Sequence, residues 1–136
     1  KLLAGYWKRR GMPEYGTSWA RDYLKHGHKK EITKDEFFVC KHGGNVIGVV
    51  ALVTGVSSVA EIRDFVLKKE WMNKGLGKKI LKHVIGIASK RKLRKIFALA
   101  LPHAEKLYSS SGFEKEGVLK NHFKEGENLS IMSMLL

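Results

Sequence analysis

Cysteine is nearly absent. Cys40 is the single thiol in 136 residues, which excludes an intramolecular disulfide framework and a multi-cysteine zinc site. The six histidines show no ligand spacing such as His-Glu-x-x-His, so no metal is expected. Proline is scarce, at two residues, and no Pro-, Gly- or Ser-rich tract, internal repeat or low-complexity segment interrupts the chain. A single domain spanning residues 1–136 with one core is therefore expected. No apolar run reaches the length of a membrane span, and Leu2-Leu3-Ala4 is too short for a secretory core. These absences lead to the expectation of a cytoplasmic protein with no membrane partner. The chain opens on Lys1 rather than Met, consistent with a few native residues ahead of it.

Acidic residues are the other shortage. Thirteen Asp and Glu face 26 Lys and Arg, a formal net charge of +13. A positive surface favours phosphorylated cofactors, nucleic acid or anionic lipid; a solubilising coat of lysine is the alternative reading. No helix-turn-helix, zinc-finger or RNA-binding signature accompanies the charge. Cys40 sits in the apolar run Phe37-Phe38-Val39-Cys40 and reads as a buried, inert thiol.

What is present is strong periodicity. Ser18 is placed to cap a short helix through Trp19, Tyr23 and Leu24, ended by the basic run His26 to Lys30. The remainder of the first thirty residues shows no clear pattern. Phe37 to Lys41 and Val46 to Thr54 read as a hairpin around His42-Gly43-Gly44-Asn45, with a third strand from Val59 to Leu67. Gly75 to Arg91 is the clearest helix. It places Leu76, Ile80, Leu81, Val84, Ile87 and Ala88 on one face and most of its lysines on the other. Ile96 to Leu101 reads as a buried strand, Ala104 to Ser110 as a helix ended by Gly112, and Phe113 to Phe123 with Leu129 to Leu135 as a final hairpin. Antiparallel pairs followed by a strand–helix–strand crossover imply a mixed, mostly antiparallel sheet of about six strands flanked by helices, in the α/β (mixed α+β) class.

The informative segment joins the third strand to the main helix, from Glu61 through Gly77. A strand ends at Leu67, a polar loop follows, and Gly75 and Gly77 open the helix. First-turn amides have no partner within a helix, the helix dipole adds partial positive charge, and glycines let a ligand approach the backbone. That layout suits a diphosphate carried by a larger molecule.

Met72-Asn73-Lys74-Gly75-Leu76-Gly77 resembles the pyrophosphate signature of the GNAT superfamily of N-acetyltransferases: Arg or Gln, two residues, Gly, one residue, Gly or Ala. Met72 departs from the pattern at the first position. The strand Ala60 to Leu67, the segment Leu107-Tyr108-Ser109-Ser110-Ser111-Gly112-Phe113 and the strand Glu116 to Phe123 are also similar to the family, so the resemblance covers roughly Phe37 to Leu135. It implies a GNAT-like sheet with a central crossover and transfer of acetyl from acetyl-CoA to a primary amine.

The resemblance also assigns roles. Met72, Asn73, Lys74, Gly75, Leu76, Gly77 and Lys78 would hold the pyrophosphate. The backbone of Phe65, Val66 and Leu67 would pair with the pantetheine arm, and His103 would reach the cofactor or simply start a helix. Tyr108 would act as general acid towards the leaving sulfur; the alternative is a tyrosine packed over the sheet. Glu61 matches the general base of one branch of the family, with Asp64 in reserve; the alternatives are an ion pair with Arg63 and a water chain. Strict alternation would put Glu61, Arg63, Phe65 and Leu67 on one face of the strand and Ile62, Asp64 and Val66 on the other. His122 and the three tryptophans read as surface and packing residues. The acceptor amine is undefined, with an acidic patch at Glu31, Asp35 and Glu36 as the feature that could admit polyamines. A binding module for nucleic acid or the ribosome, a coenzyme sensor without turnover, and a homodimer through exposed sheet edges complete the expectations.

Overall fold

The computed structural model describes residues 1–13, 15–26 and 34–136. The backbone groups into two compact units, Lys1–Ile32 and Thr33–Leu136. The helix end expected beyond His26, and Glu31 of the acidic patch, lie outside the described residues.

In the first unit, α1 (Leu2–Arg9) and α2 (Thr17–His26) form a helical pair. Sequence patterning left α1 unassigned, since a helix of two turns carries too few apolar positions to show a period. Ser18 lies inside the first turn of α2 rather than at its cap: the Ala20 amide already bonds the Gly16 carbonyl at 2.9 Å. Aromatic rings knit the pair together, with Trp7–Tyr15 centroids 4.9 Å apart, Tyr15–Trp19 4.6 Å and Trp19–Tyr23 4.9 Å.

In the second unit, six strands form one sheet in the order β1-β2-β3-β4-β6-β5. They are β1 (Lys34–His42), β2 (Asn45–Thr54), β3 (Val59–Leu67), β4 (Lys95–Ala100), β5 (Glu114–Lys124) and β6 (Glu127–Leu135). Among the described residues only β3 and β4 run parallel, because α3 (Leu76–Lys90) carries the chain between them; the other neighbours are antiparallel. This is the mixed, mostly antiparallel sheet with a central crossover that the sequence implies. The apolar stripe of α3 (Leu81, Val84, Ala88) packs over Val50, Leu52, Ile62, Ile96 and Met132, all essentially inaccessible to solvent. β1 begins at Lys34, three residues ahead of the apolar run, as a solvent-facing edge strand. Cys40 is half-buried there, not fully buried as expected, and its flanking Phe37 and Val39 are exposed.

Two departures from regular geometry shape the region after Ile62. Pairing between β3 and β4 covers only Val59–Ile62 against Lys95–Ala98. β3 then continues to Leu67 paired with β2 alone, so its other edge is open. Within that stretch the register slips between Val49 and Ala51 of β2, and Asp64 opposite takes φ +49°. This β-bulge adds one residue and reverses the alternation. Phe65 consequently packs on the same core face as Ala60 and Ile62, while Glu61 and Arg63 point the other way. The single-face grouping expected from strict alternation is therefore corrected by the bulge.

Candidate active site

The loop between β3 and α3 uses its first amides in a turn and ends in a run of backbone donors without an acceptor among the described residues. A short 3-10 turn at Lys69–Trp71 leads to Met72 in extended conformation. Asn73 and Gly75 then adopt the left-handed region at φ +57° and +77°, and Gly75 is the N-cap of α3 without a side-chain cap. Left-handed residues turn successive amides to one side, which makes an anion-sized concavity. From Asn73 to Lys78 no backbone amide finds an acceptor among the described residues; the first to do so is that of Lys79, on the Gly75 carbonyl at 3.3 Å. The first turn of α3 carries no acidic side chain to compete for them. A Cβ at Gly75 would meet nothing within 4 Å, so the space before the amides is open.

These amides border a cleft of about 260 Å³. Its apolar wall is Phe65, Leu67, Ala104 and Leu107, and its polar groups come from Asn73, Lys78, His103 and Tyr108, with Met72, Gly75 and Gly77 completing the lining. Gly77 forms part of the floor, where a Cβ would lie 3.5 Å from Leu107. The remaining expected cofactor residues lie off the cleft. Val66 projects away and is exposed, Leu76 is half-buried, and the Lys74 ammonium lies 5.5 Å from the ring centre of Trp71, which itself stacks on His42 at 4.6 Å. Ala104 and Leu107 were not expected from sequence. The one available signal was the position of Leu107 beside Tyr108 in the Leu-Tyr…Gly-Phe segment.

Tyr108 sits on α4 (Glu105–Ser110), reached from β4 through a 3-10 turn begun by Pro102. Gly112, at φ +96°, closes the helix and lets the Phe113 amide bond the Tyr108 carbonyl at 3.1 Å. The Tyr108 ring is 5% exposed and meets Phe113 edge-on at 5.2 Å. Its hydroxyl makes no hydrogen bond among the described residues, yet the side chain lines the cleft. Burial pushes the phenol from its ordinary value near 10 up to about 12. It is therefore a protonated donor facing the cleft, with no acceptor among the described residues.

Glu61 does not line this cleft. It lies on the opposite face of β3, near the last residues paired with β4, and its carboxylate meets the Arg63 guanidinium at 2.7 Å. Asp64 is exposed at the bulge. His103 is shared with a second cleft, of about 550 Å³, bounded by Leu101, Pro102 and the β5–β6 turn from Lys124 to Asn128. His122 is exposed and lines neither. Of the acidic patch, Glu36 is engaged by Arg91 (2.7 Å) and Lys34 (3.1 Å). No cluster of three metal-ligating side chains occurs among the described residues, and none of their helices is long and apolar enough to cross a membrane.

An open strand edge, backbone amides at a helix start without an acceptor among the described residues, and a buried phenol thus meet around one cleft. Comparison with known proteins gives the family: a profile described as "Acetyltransferase (GNAT) family" matches residues 5–113, and the chain belongs to that family. The match starts well before Phe37, where the sequence resemblance began. An uncharacterised N-acetyltransferase of Chlorobaculum tepidum is 31% identical over 90 residues, covering 66% of this chain and 53% of that protein. One from Methanocaldococcus jannaschii is 29% identical over 123 residues, covering 82% and 54%. The chain thus spans about half the length of the curated relatives it matches. A GNAT-family acetyltransferase of Elizabethkingia anophelis solved with acetyl-CoA bound superposes with a TM-score of 0.70 at 20% identity, over 89% of this chain and 84% of that one, a likeness of fold.

Proposed function

We propose that this chain is an N-acetyltransferase that takes acetyl-CoA as co-substrate and acetylates a primary amine. The observation that carries the reading is the meeting of the unsatisfied amides of Asn73–Lys78 and the unpartnered Tyr108 hydroxyl in one cleft beside the open edge of β3. The residues fit the molecule. The amides and the Lys78 charge would hold the diphosphate, and the free backbone edge of Phe65–Leu67 would pair with the amide-bearing arm as an added strand does. Phe65, Leu67 and Leu107 would exclude water around the thioester.

The reaction then needs little from the protein beyond orientation and two proton sites. As the amine nitrogen bonds to the acetyl carbon, the carbon–sulfur bond breaks and one proton leaves the nitrogen. An alkylammonium with a pKa near 10 is neutral in roughly one molecule in a thousand at pH 7, so a base at the acceptor side is useful. Glu61 is the candidate for that base: it stands on the face of β3 opposite the cofactor cleft, near the point where β4 parts from β3, and an acceptor entering there would meet it. To accept the proton it must release Arg63. Tyr108 donates its hydrogen bond to the departing sulfur. With Glu36 held by Arg91 and Lys34, exposed Asp35 is the one carboxylate of the patch, among the described residues, left to meet a second ammonium, and monoamines are favoured over polyamines as acceptors.

The test is release of free thiol from acetyl-CoA with small amines, peptides with a free N-terminus and aminoacyl-tRNA, for the wild type and Glu61→Gln. Amine-dependent release reduced at least tenfold in the variant supports both the function and the base. Amine-dependent release equal in the two proteins removes Glu61. Absence of amine-dependent release with every acceptor, despite acetyl-CoA binding, would replace the enzyme with a sensor.

A further inference from the structure

The positive charge of this chain is not spread evenly. Residues 68–95 contain eleven Lys and Arg against the single Glu70, and so hold ten of the thirteen net charges. The segment is α3 with the turns at its two ends. α3 itself, Leu76–Lys90, contains no Asp or Glu. Part of the charge at its far end is engaged structurally: Arg91 with Glu36, Lys95 with Glu116, and the Arg94 side chain with the Ser57 carbonyl. Lys78, Lys79, Lys82, Lys90 and Lys92 are exposed and meet no carboxylate among the described residues. A diphosphate at the start of the helix accounts for Lys78 at most.

We propose that the solvent face of α3 is a docking surface for the phosphodiester backbone of a nucleic acid, bound without reading the bases. Three features select that partner. The cations are arrayed along a line, Lys78 to Lys90 spanning about 18 Å of helix. A duplex presents one charge per about 1.7 Å of its axis, so the stripe faces roughly ten phosphate charges. Between the lysines the face carries His83 and two small residues, Gly86 and Ser89, and a Cβ on Gly86 would meet nothing within 4 Å. A backbone can therefore approach closely. Finally, no large apolar side chain is exposed between Met72 and Val118. A surface that settles into lipid would carry such wedges beside its lysines.

The test uses the whole chain and a fluorescein-labelled 20-base-pair RNA duplex, with a DNA duplex of the same sequence as a second arm, followed by anisotropy from 50 to 300 mM KCl. With Lys79, Lys82, Lys90 and Lys92 each contributing about 0.9, log K should fall against log salt with a slope of about −3.6. The triple variant Lys79→Gln, Lys82→Gln, Lys90→Gln should reduce the slope magnitude by about 2.7 and weaken binding at least tenfold at 100 mM. Its acetyl-CoA affinity and thermal midpoint should stay at wild-type values, which separates this surface from the proposed catalytic cleft. A second triple variant, Lys8→Gln, Lys25→Gln, Lys120→Gln, removes the same charge elsewhere and should bind as the wild type does. Binding of either duplex that follows this pattern supports the proposal. An equal loss in both variants, no binding at 50 mM, or equal affinity for phosphatidylserine vesicles or polyglutamate would overturn it.

Discussion

Replacing Tyr108 by Phe is the sharpest single-atom perturbation that the proposed chemistry allows. The ring is 5% exposed and packs on Phe113, and the phenylalanine keeps that contact. The hydroxyl has no partner among the described residues to orphan, so stability should change by under about 1 kcal/mol. The phenol, pushed up to about 12, fixes the kind of help it can give. A thiolate of ordinary pKa near 8.5 would take its proton only uphill, by three to four units or about 5 kcal/mol. In the proposed reaction Tyr108 would therefore stabilise the departing sulfur by donating a hydrogen bond rather than by surrendering the proton. One charge-assisted bond formed in the transition state is worth about 1.5–3 kcal/mol, or roughly 10- to 150-fold in kcat. The assay is thiol release under saturating acetyl-CoA from pH 6 to 10, with calorimetry for cofactor affinity. We expect kcat to fall by that factor at every pH with affinity unchanged. A kcat within twofold of wild type would refute the role. An alkaline fall in wild-type activity below pH 10 that vanishes in the variant would refute the raised pKa. Absorbance near 295 nm gives an independent check: a tyrosine ionisation near pH 12 should be present in the wild type and absent from the variant.

Three further outcomes follow from the geometry. Gly75→Ala should cost about 1–2 kcal/mol, because a Cβ is strained at φ +77°, and should weaken acetyl-CoA binding; Gly77→Ala, with ordinary contacts at 3.5 Å, should be better tolerated in a parallel melt and titration. Gly112→Ala combines φ +96° with a Cβ only 2.9 Å from the Met134 methyl, and should lower the thermal midpoint by several degrees while disturbing the end of α4 behind Tyr108. Glu36→Gln removes the paired bond to Arg91, which holds the carboxyl at about 2 instead of 4.5. That contribution is complete above about pH 4.5 and lost as pH falls through about 2. With Glu36 22% exposed and Arg91 37%, solvent screening keeps the contribution small, so denaturant melts should show a modest gap at pH 7 that closes towards pH 2.

Much of this architecture was written in side-chain pattern. The 3.6-residue stripe of α3, the Gly-Gly turn between β1 and β2, and the break at Gly112 each follow from local chemistry that tertiary packing did not override. Two features were not legible, for different reasons. α1 is too short to display a period, and its partner contacts come from aromatic residues spread over seventeen positions from Trp7 to Tyr23. The bulge at Asp64 puts a side-chain-bearing residue at φ +49°, a conformation no glycine announces. That one inserted residue decides which side of the sheet Phe65 and Glu61 occupy. The cleft likewise drew Ala104 and Leu107 from a segment where sequence pointed only to Tyr108 and His103. Apolar lining carries no motif of its own.

The amide cradle is the claim on which the rest stands, and amide NMR of the isotope-labelled chain addresses it atom by atom. Titrating coenzyme A should shift the backbone resonances of Asn73, Lys74, Gly75, Leu76, Gly77 and Lys78 first and most, with Phe65 to Leu67 following and the far end of α3 unmoved. Resonances of that loop that stay in place while coenzyme A saturates another surface, or at millimolar ligand with no binding at all, would contradict it.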